Sequence, residues 1–255
     1  TDGMCFLKDI PSRFDWIYID PSRRNDIKGK VFRLSDCLPN VLDESELLFS
    51  KSDNILLKTS PLLDFSIGIA ELGFVKEIHA VAAQNEVKEL LWVLKKEYSG
   101  EIIVKTNNFK MKTAQVFEFP LSEEKEATPE YSLPLSYLYE PNSAIMKAGG
   151  FKTVGNRYGL YKLHEHTHLY TSDTLIDFPG RRFMVKEVIP YSKKNMKRLG
   201  LGKANITVRN FPESVARIRS RFNIKDGGNT YLFFVTDRTG ERILLRCSKP
   251  NLGRK

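Results

Sequence analysis

Residues 1–110 alternate short apolar runs with stretches of helical spacing. The apolar runs have the length and composition of buried strands, and they predict strands over DWIYID (15–20), NILLKTS (54–60), EIHAVAAQ (77–84) and EIIVKT (101–106). Helices are predicted over LLDFSIGIAELG (62–73) and over residues 85–100, where a capping Asn85 precedes apolar positions at helical spacing: Val87, Leu90, Leu91 and Leu94. This alternation predicts an open, doubly wound α/β sheet.

The end of the chain has the pattern of a small β-α-β-β module, with elements predicted over KANITVR (203–209), FPESVARIRSRF (211–222), TYLFFVTD (230–237) and ERILLRCS (241–248). Pro212 suits the first turn of the helix, and the buried stripe of this helix is predicted at Val215, Ile218 and Phe222. The last two runs are separated only by a short turn, so they predict a β-hairpin.

Charge divides the chain into two parts. Residues 1–130 hold 17 Lys/Arg against 22 Asp/Glu, a balance of −5, whereas residues 131–255 hold 23 against 9, a balance of +14. The most basic stretch, residues 181–225, holds 13 against 2. Such a local excess favours a polyanionic partner, of which nucleic acid is the leading class. The acidic, proline-rich segment 120–134 is typical of a linker.

Cysteine spacing and hydropathy indicate the cellular compartment of the protein. Cys5, Cys37 and Cys247 are few and far apart, which fits neither a zinc site nor a disulfide framework. A reducing cytoplasm is therefore the predicted location. No apolar run approaches the roughly 18 residues of a membrane span, and we expect no membrane partner.

The segment HEHTH contains the alternating histidines His164, His166 and His168, which would share one face of a strand. Three histidines can bind Zn²⁺. The flanking apolar residues favour an ordinary half-buried strand instead, and we predict no metal.

The strand DWIYID ends on Asp20 and Pro21. Ligands of doubly wound sheets gather outside the carboxyl ends of the strands. At that edge Asp20 would lie near Lys58 and Ser60 of the next predicted strand, which are candidates for lining the same pocket. The Asp20 carboxylate and the Pro21 carbonyl could accept hydrogen bonds from a substrate amine or imino group.

Ser22, Arg23 and Arg24 follow this turn. The two arginines could contact phosphate or a base at the mouth of the site. Alternatively they are solvated or pair with Asp26 and the acidic run Asp43–Glu46.

Four segments resemble one protein family in their order and spacing: IDPSRR (19–24), LLKTSPLLD (56–64), LYEPNSAIMKAG (138–149) and HLYTSD (168–173). They resemble the class I S-adenosylmethionine-dependent methyltransferases that carry a THUMP-like C-terminal domain, including a group found in Bacteroidetes. In such enzymes the Asp-Pro turn lies beside the methyl donor and the target base. The resemblance covers nearly the whole chain.

The resemblance implies an α/β fold with a partial, doubly wound, Rossmann-like methyltransferase sheet, followed by small α+β ferredoxin-like and THUMP-like domains. The implied domains are the C-terminal half of a methyltransferase domain (1–119), a linker (120–134), a ferredoxin-like domain (135–195) and a THUMP-like RNA-binding module (196–255). It also implies the catalytic set Asp20, Pro21, Ser22 and Arg23, with Arg24, Lys58 and Ser60 contacting substrate.

S-adenosylmethionine is the implied cofactor. Asp2, ahead of Gly3, resembles the acidic position that often contacts the adenine ring in this fold. Class I enzymes bind the cofactor mainly through a glycine-rich loop, and no such loop stands in the fourteen residues before DWIYID. We therefore expect this chain alone to bind the cofactor weakly or not at all and to be inactive.

Two familiar chemistries do not fit the motif. Enzymes that methylate exocyclic amines often carry a second proline and an aromatic where this chain has Ser22 and Arg23. Enzymes that methylate carbon 5 of uridine need a cysteine nucleophile, and Ser60 stands at the equivalent position. The sequence leaves the modified atom open.

The hypothesis is a methyltransferase acting on a base of structured RNA, either tRNA or rRNA. One alternative is a non-catalytic RNA-binding protein with a methyltransferase-like scaffold, and another is methylation of a protein or a small molecule. The basic candidates for holding the RNA backbone are Arg181, Arg182, Lys193, Lys194, Lys197, Arg198, Lys203, Arg209, Arg217 and Arg221.

Overall fold

The computed structural model describes residues 2–23 and 33–251. The chain forms two compact units, one from Thr1–Glu126 with Ser143–Gly150 and the other from Ala127–Asn142 with Phe151–Lys255. Arg24, a candidate substrate contact, lies outside the described residues.

The first unit contains eight strands and five helices among its described residues. In chain order these are α1 (Gly3–Asp9), β1 (Ile17–Ile19), β2 (Ser22–Arg23), β3 (Cys37–Leu38), α2 (Ser45–Lys51), β4 (Asn54–Thr59), α3 (Phe65–Glu71), β5 (Val75–Ala83), β6 (Glu86–Lys95), β7 (Ile103–Phe109), β8 (Ala114–Pro120), α4 (Leu121–Glu126) and, after the strand β9 (Tyr137–Pro141) of the second unit, α5 (Ser143–Ala148). Six of the strands form one sheet in the order β1-β4-β6-β5-β7-β8, and β2 pairs with β3.

The sheet is mixed, and its parallel strands set up a common edge. β1 runs parallel to β4, and β5 runs parallel to β7. β6 is antiparallel to both β4 and β5. The strands β1, β4, β5 and β7 therefore point the same way, and their carboxyl ends meet at one edge, which we call the carboxyl edge.

The two faces of this sheet differ. One face buries alternate side chains, such as Ile55, Leu57, Trp92 and Val104, beneath α2, α3 and α5. We call it the helix-covered face. The intervening side chains lie on the second face and are half-buried or exposed.

The predicted helix over residues 85–100 is wrong, because residues 86–95 form strand β6. Leu90, Trp92 and Leu94 are buried at a spacing of two residues, whereas Leu91 lies on the second face. Asn85 does not cap a helix. It forms a two-residue turn with Gln84, and both residues have positive φ angles, 52° and 66°, as tight hairpin turns require.

The described part of the second unit contains seven strands in one sheet, in the order β10-β11-β9-β12-β15-β14-β13. Besides β9, its elements are α6 (Thr153–Arg157), β10 (Tyr161–Lys162), β11 (Tyr170–Ser172), β12 (Gly180–Pro190), α7 (Lys193–Leu199), β13 (Asn205–Arg209), α8 (Val215–Phe222), β14 (Tyr231–Thr236) and β15 (Arg242–Ser248). One core cluster contains Phe183 and Phe233, and another contains Ile218 and Phe234.

The β-α-β-β module is confirmed. β13 pairs with β14, and β14 forms an antiparallel hairpin with β15. Ile218 is buried on α8, while Arg217 and Arg221 are exposed. The helix begins later than expected, because Ser214 is its N-cap and accepts a hydrogen bond from the backbone N–H of Arg217.

The predicted histidine strand is wrong. Residues 164–168 form a turn region between β10 and β11. His168 has a positive φ of 50°, which lies outside the extended region of β-strands. Its ring stacks on that of Phe151 with centroids 3.8 Å apart.

Replacing Gly68 of α3 with alanine should destabilise the first unit by about 1–3 kcal/mol. A Cβ at this position would lie 2.3 Å from the ring of Trp92. The ring cannot easily move away, because its Nε1 donates to Thr59 Oγ1 at 2.9 Å. Urea denaturation measures the loss. The matched control is Gly73→Ala, whose Cβ would meet nothing within 4 Å. Equal effects in the two variants would contradict the packing argument.

Candidate functional site

The carboxyl edge brings Asp20 and Lys58 together. Asp20 follows β1, and Lys58 lies near the end of β4, the parallel neighbour of β1. Lys58 Nζ is 2.5 Å from Asp20 Oδ2. The hydrogen bond to Asp20 raises the pKa of Lys58 above its usual value, so this lysine keeps its proton and holds the carboxylate in place.

Glu89 is a second acid beside Lys58, with 4.0 Å between Lys58 Nζ and Glu89 Oε2. It projects from β6 onto the second face, next to the buried Leu90. Sequence reasoning missed Glu89 because residues 85–100 were interpreted as a helix. The alternation of buried residues along β6 is the signal that would have placed it.

A cleft of about 680 Å³ adjoins Asp20. Its lining includes Asp2 from the start of the chain, the strand residues Ile17 and Tyr18, and the acids Asp43 and Glu44. The structure therefore brings the two acids singled out in the sequence, Asp2 and Asp20, to one cleft.

Asp2 also has a structural task as the N-cap of α1. Its Oδ1 accepts hydrogen bonds from the backbone N–H groups of Met4 and Cys5, at 2.9 and 3.1 Å. These bonds, led by that from Cys5, lower the pKa of Asp2. The carboxylate thus stays ionised in the cleft.

The cleft fits a cationic cofactor in size and charge. Binding pockets for small molecules commonly measure about 300–1,000 Å³. The acids Asp2, Asp20, Asp43 and Glu44 line the cleft together with a single basic side chain from the described residues, Lys8, which lies 4.0 Å from Glu44. S-adenosylmethionine carries a positive sulfonium and a positive amine, so this lining is electrostatically favourable for it.

The other predicted site residues lie around the same turn. Ser22 and Arg23 form β2, which pairs with β3, and Ser22 is exposed. Ser60 follows β4, and its Oγ accepts a hydrogen bond from the backbone N–H of Leu62 at 3.2 Å.

Five of the ten basic candidates in the second unit are paired with acids. Glu140 on β9 holds two of them, Arg181 on the adjacent β12 and Arg209, whose Nη2 is 2.8 Å from Glu140 Oε1. The Glu140 side chain is only 4% exposed. The other pairs are Arg182 with Asp177, and Arg217 and Arg221 with Glu213.

Glu213 also accepts a hydrogen bond from the hydroxyl of Tyr191 at 2.6 Å. Burial, together with this hydrogen bond to an acid, raises the pKa of Tyr191 to about 12. Tyr191 therefore stays neutral and helps to hold Glu213 beside its two arginines. These ion pairs stabilise the second unit. A phosphate group could bind these arginines only by competing with the acids that already pair with them.

The remaining five candidates form no ion pair with any residue in the described ranges 2–23 and 33–251: Lys193, Lys194, Lys197, Arg198 and Lys203. Four of them lie on α7, where the buried Met196 turns the cationic side chains outward. A cleft of about 430 Å³ between α7 and the end of α8 is lined by Lys193, Lys197 and Arg221 around an apolar floor. Helix α7 is thus the stronger candidate for phosphate contact.

The described residues contain no cluster of three or more His, Cys, Asp or Glu arranged to hold a metal ion. No helix in the described ranges is long and apolar enough to cross a membrane.

Comparison with known proteins identifies the domains of the second half. Residues 137–179 match a ferredoxin-like domain family, and residues 180–249 match a THUMP-like domain family. The seven-stranded sheet runs through both matched ranges.

Proteins that resemble most of this chain are named as methyltransferases. A protein of Mycobacterium tuberculosis, named as an uncharacterized S-adenosylmethionine-dependent methyltransferase in two strains, is 24% identical over 233 residues, or 88% of this chain. A crystal structure of a candidate methyltransferase from Porphyromonas gingivalis W83 superposes with a TM-score of 0.85, at 37% identity over 92% of this chain.

The chain spans 60% of the length of the mycobacterial relative and 59% of the Porphyromonas protein. The fold is α/β, with a methyltransferase-like sheet followed by ferredoxin-like and THUMP-like domains. The chain is therefore similar to proteins named as S-adenosylmethionine-dependent methyltransferases, and its residues 137–249 match ferredoxin-like and THUMP-like domain families.

Proposed function

We propose that the protein is an S-adenosylmethionine-dependent methyltransferase that modifies a base of structured RNA, either tRNA or rRNA. The observation that carries the proposal is the Asp20–Lys58 pair at the carboxyl edge, beside an acidic cleft. The names of the relatives and the THUMP-like domain support it.

Asp20 is the residue that orients the base. Lys58 holds one carboxylate oxygen, Oδ2, and Oδ1 can accept a hydrogen bond from an amine or imino group of the base. The Pro21 carbonyl is a second acceptor in the same turn. Holding the reacting atom in line with the methyl group supplies much of the rate acceleration.

Ser22, Arg23 and Arg24 follow this turn, and the arginines supply phosphate or base contacts in the proposal. Ser60, at the end of the neighbouring strand, lines the same edge. Lys58 acts by positioning Asp20, and Glu89 is a second acid 4.0 Å from the Lys58 ammonium.

The bound cofactor supplies a methyl group that its sulfonium already activates. Asp2 and the other acids of the cleft complement its positive charge. We further propose that residues 1–255 hold only part of the cofactor site, because no glycine-rich loop stands before β1. None of the three cysteines, all of which lie in the described ranges, takes part in a disulfide, and this supports the proposed reducing cytoplasm.

The RNA backbone is held by the THUMP-like domain, chiefly through α7. Its cationic side chains project around a cleft with an apolar floor. Contacts of this kind give affinity and register without reading sequence.

A non-catalytic RNA-binding protein is the alternative function. It is favoured by the structural tasks of the two site acids, since Asp2 caps α1 and Asp20 is neutralised by Lys58. In this alternative the RNA contacts of α7 remain, and the sheet is a scaffold.

Asp20→Ala should lower methyl transfer to RNA by about 100-fold, the scale expected when a reacting group loses its alignment. Transfer of a labelled methyl group by the full-length natural protein measures it. Asp15→Ala is the matched control, because Asp15 is exposed at the opposite end of β1. Unchanged activity in Asp20→Ala would remove Asp20 from the site.

Replacing Lys193 and Lys197 together with glutamine should weaken RNA binding and flatten its dependence on salt. Each lost phosphate contact lowers the slope of log K against log salt by about 0.7–0.9, so the pair should lower it by about 1.5. The control is Lys95→Gln with Lys96→Gln, two exposed lysines of the first unit. If the RNA affinity of the unaltered protein does not change with salt concentration, these phosphate contacts are ruled out.

Calorimetric titration of S-adenosylmethionine tests the proposed partial site. We expect no resolved binding to residues 1–255 and clear binding to the full-length natural protein. The same titration with Asp2→Ala in the full-length protein should weaken binding if Asp2 contacts the cofactor. Tight binding to residues 1–255 alone would contradict the partial site.

A further inference from the structure

The tip of the β7–β8 hairpin exposes apolar side chains at the carboxyl edge. Phe109 ends β7 and is 50% exposed, Val116 on β8 is 54% exposed, and Met111 between the strands is 91% exposed. The function proposed above does not use any of them.

This tip lies on the same face of the sheet as Lys58 and Glu89 of the candidate site. Along β7, Val104, Thr106 and Asn108 are fully buried on the helix-covered face, so Phe109 falls on the second face. Val116 also lies there, because its neighbour Phe117 is buried on the other side. Lys58 and Glu89 occupy the same second face.

The base of the hairpin is held in place. Gln84 in the β5–β6 turn donates its backbone N–H to the Phe109 carbonyl at 2.9 Å. Asn108 accepts a hydrogen bond from the backbone N–H of Asn85 and donates one to Gln115 Oε1, at 2.9 and 3.0 Å. The exposed side chains are therefore presented from a fixed support, which limits the entropy lost on binding.

The tip is cationic as well as apolar. Residues 108–115 include Lys110 and Lys112 and contain no acid. Along the same edge, Glu86 is paired with Lys88 at 2.7 Å. An exposed aromatic ring interleaved with lysines suits single-stranded nucleic acid, whose bases stack on the ring while its phosphates meet the cations.

We propose that the tip formed by Phe109, Lys110, Met111, Lys112 and Val116 binds the single-stranded RNA that flanks the target base, with one base stacked on Phe109. This inference rests on the proposed function, since it assigns a second contact to the same RNA. In this proposal a single RNA strand follows the carboxyl edge from Asp20 to the hairpin tip.

Strand spacing shows that the contact is to a flanking nucleotide. β1 and β7 are four strand steps apart in the sheet, which at about 4.8 Å per step is about 19 Å. Stacked nucleotides advance about 3.4 Å each, so the hairpin lies about five or six nucleotides from the target base. Phe109 is therefore a residue for RNA positioning and not for the chemistry.

Fluorescence anisotropy with a labelled single-stranded RNA tests the proposal. Phe109→Ala should weaken binding by about 5- to 140-fold, the range found for loss of one base–aromatic stack. Phe109→Trp should restore it, because tryptophan offers a larger stacking surface. A merely structural role for Phe109 would not give this rescue.

The proposed contact between the lysines and phosphate is tested by removing a positive charge. Lys112→Gln should lower the salt slope by about 0.7 if it meets a phosphate of a single strand. Lys95→Gln is the matched control, since Lys95 is exposed at the opposite edge of the sheet. Equal slopes in the two variants would overturn the phosphate contact.

The outcomes separate this inference from the proposed function. If Phe109→Ala binds RNA normally while the α7 variant binds it poorly, the hairpin contact is wrong and the proposed function stands. If the unaltered protein binds no RNA, both fail. If Phe109→Ala instead abolishes self-association measured by light scattering and leaves RNA binding unchanged, the exposed tip is a contact between protein copies and the inference is overturned.

Discussion

The parallel pairing of β1 with β4 is the constraint on which the candidate site depends. Because Ile19 lies beside Leu57, the residues after β1 and at the end of β4 meet at one edge, and Asp20 reaches Lys58. An antiparallel pairing would place them at opposite ends of the strands. Burial of Ile17, Ile19, Ile55 and Leu57 on the helix-covered face fixes this register, since a slip of one residue would turn apolar side chains to solvent.

A different interaction organises the second unit. Glu140 lies in the ferredoxin-like match and is buried between Arg181 and Arg209, which both lie in the THUMP-like match. A buried carboxylate that loses its partners typically costs about 3–5 kcal/mol. Arg181 and Arg209 thus stabilise the fold, whereas the lysines of α7 form no ion pair with the described residues and are the ones proposed to contact a polyanion. The basic residues of 131–255 therefore fall into two groups: arginines that pair with acids within the fold, and lysines of α7 that are candidates for binding.

The sequence predicted the strands that end on Asp20 and Ser60 and the terminal hairpin, because short apolar runs between turns have few other interpretations. It also predicted the arginine-bearing helix α8. It did not reveal β6, since EVKELLWVLK fits helical and alternating spacing equally well, and the deciding feature is the tight turn at Gln84 and Asn85. Because β6 was not predicted, the position of Glu89 beside Lys58 was not predicted either. The partners of Glu140 could not be predicted from the sequence either, because they lie 41 and 69 residues away along the chain.

The proposed site and the proposed RNA contacts together imply that a base of RNA is methylated beside Asp20. The most direct test incubates the full-length natural protein with labelled S-adenosylmethionine and cellular RNA, digests the RNA and identifies labelled nucleosides by mass spectrometry. We expect one labelled base that disappears in Asp20→Ala and persists in Asp15→Ala. Label found only in protein or small molecules, or a labelled base that persists in Asp20→Ala, would contradict it.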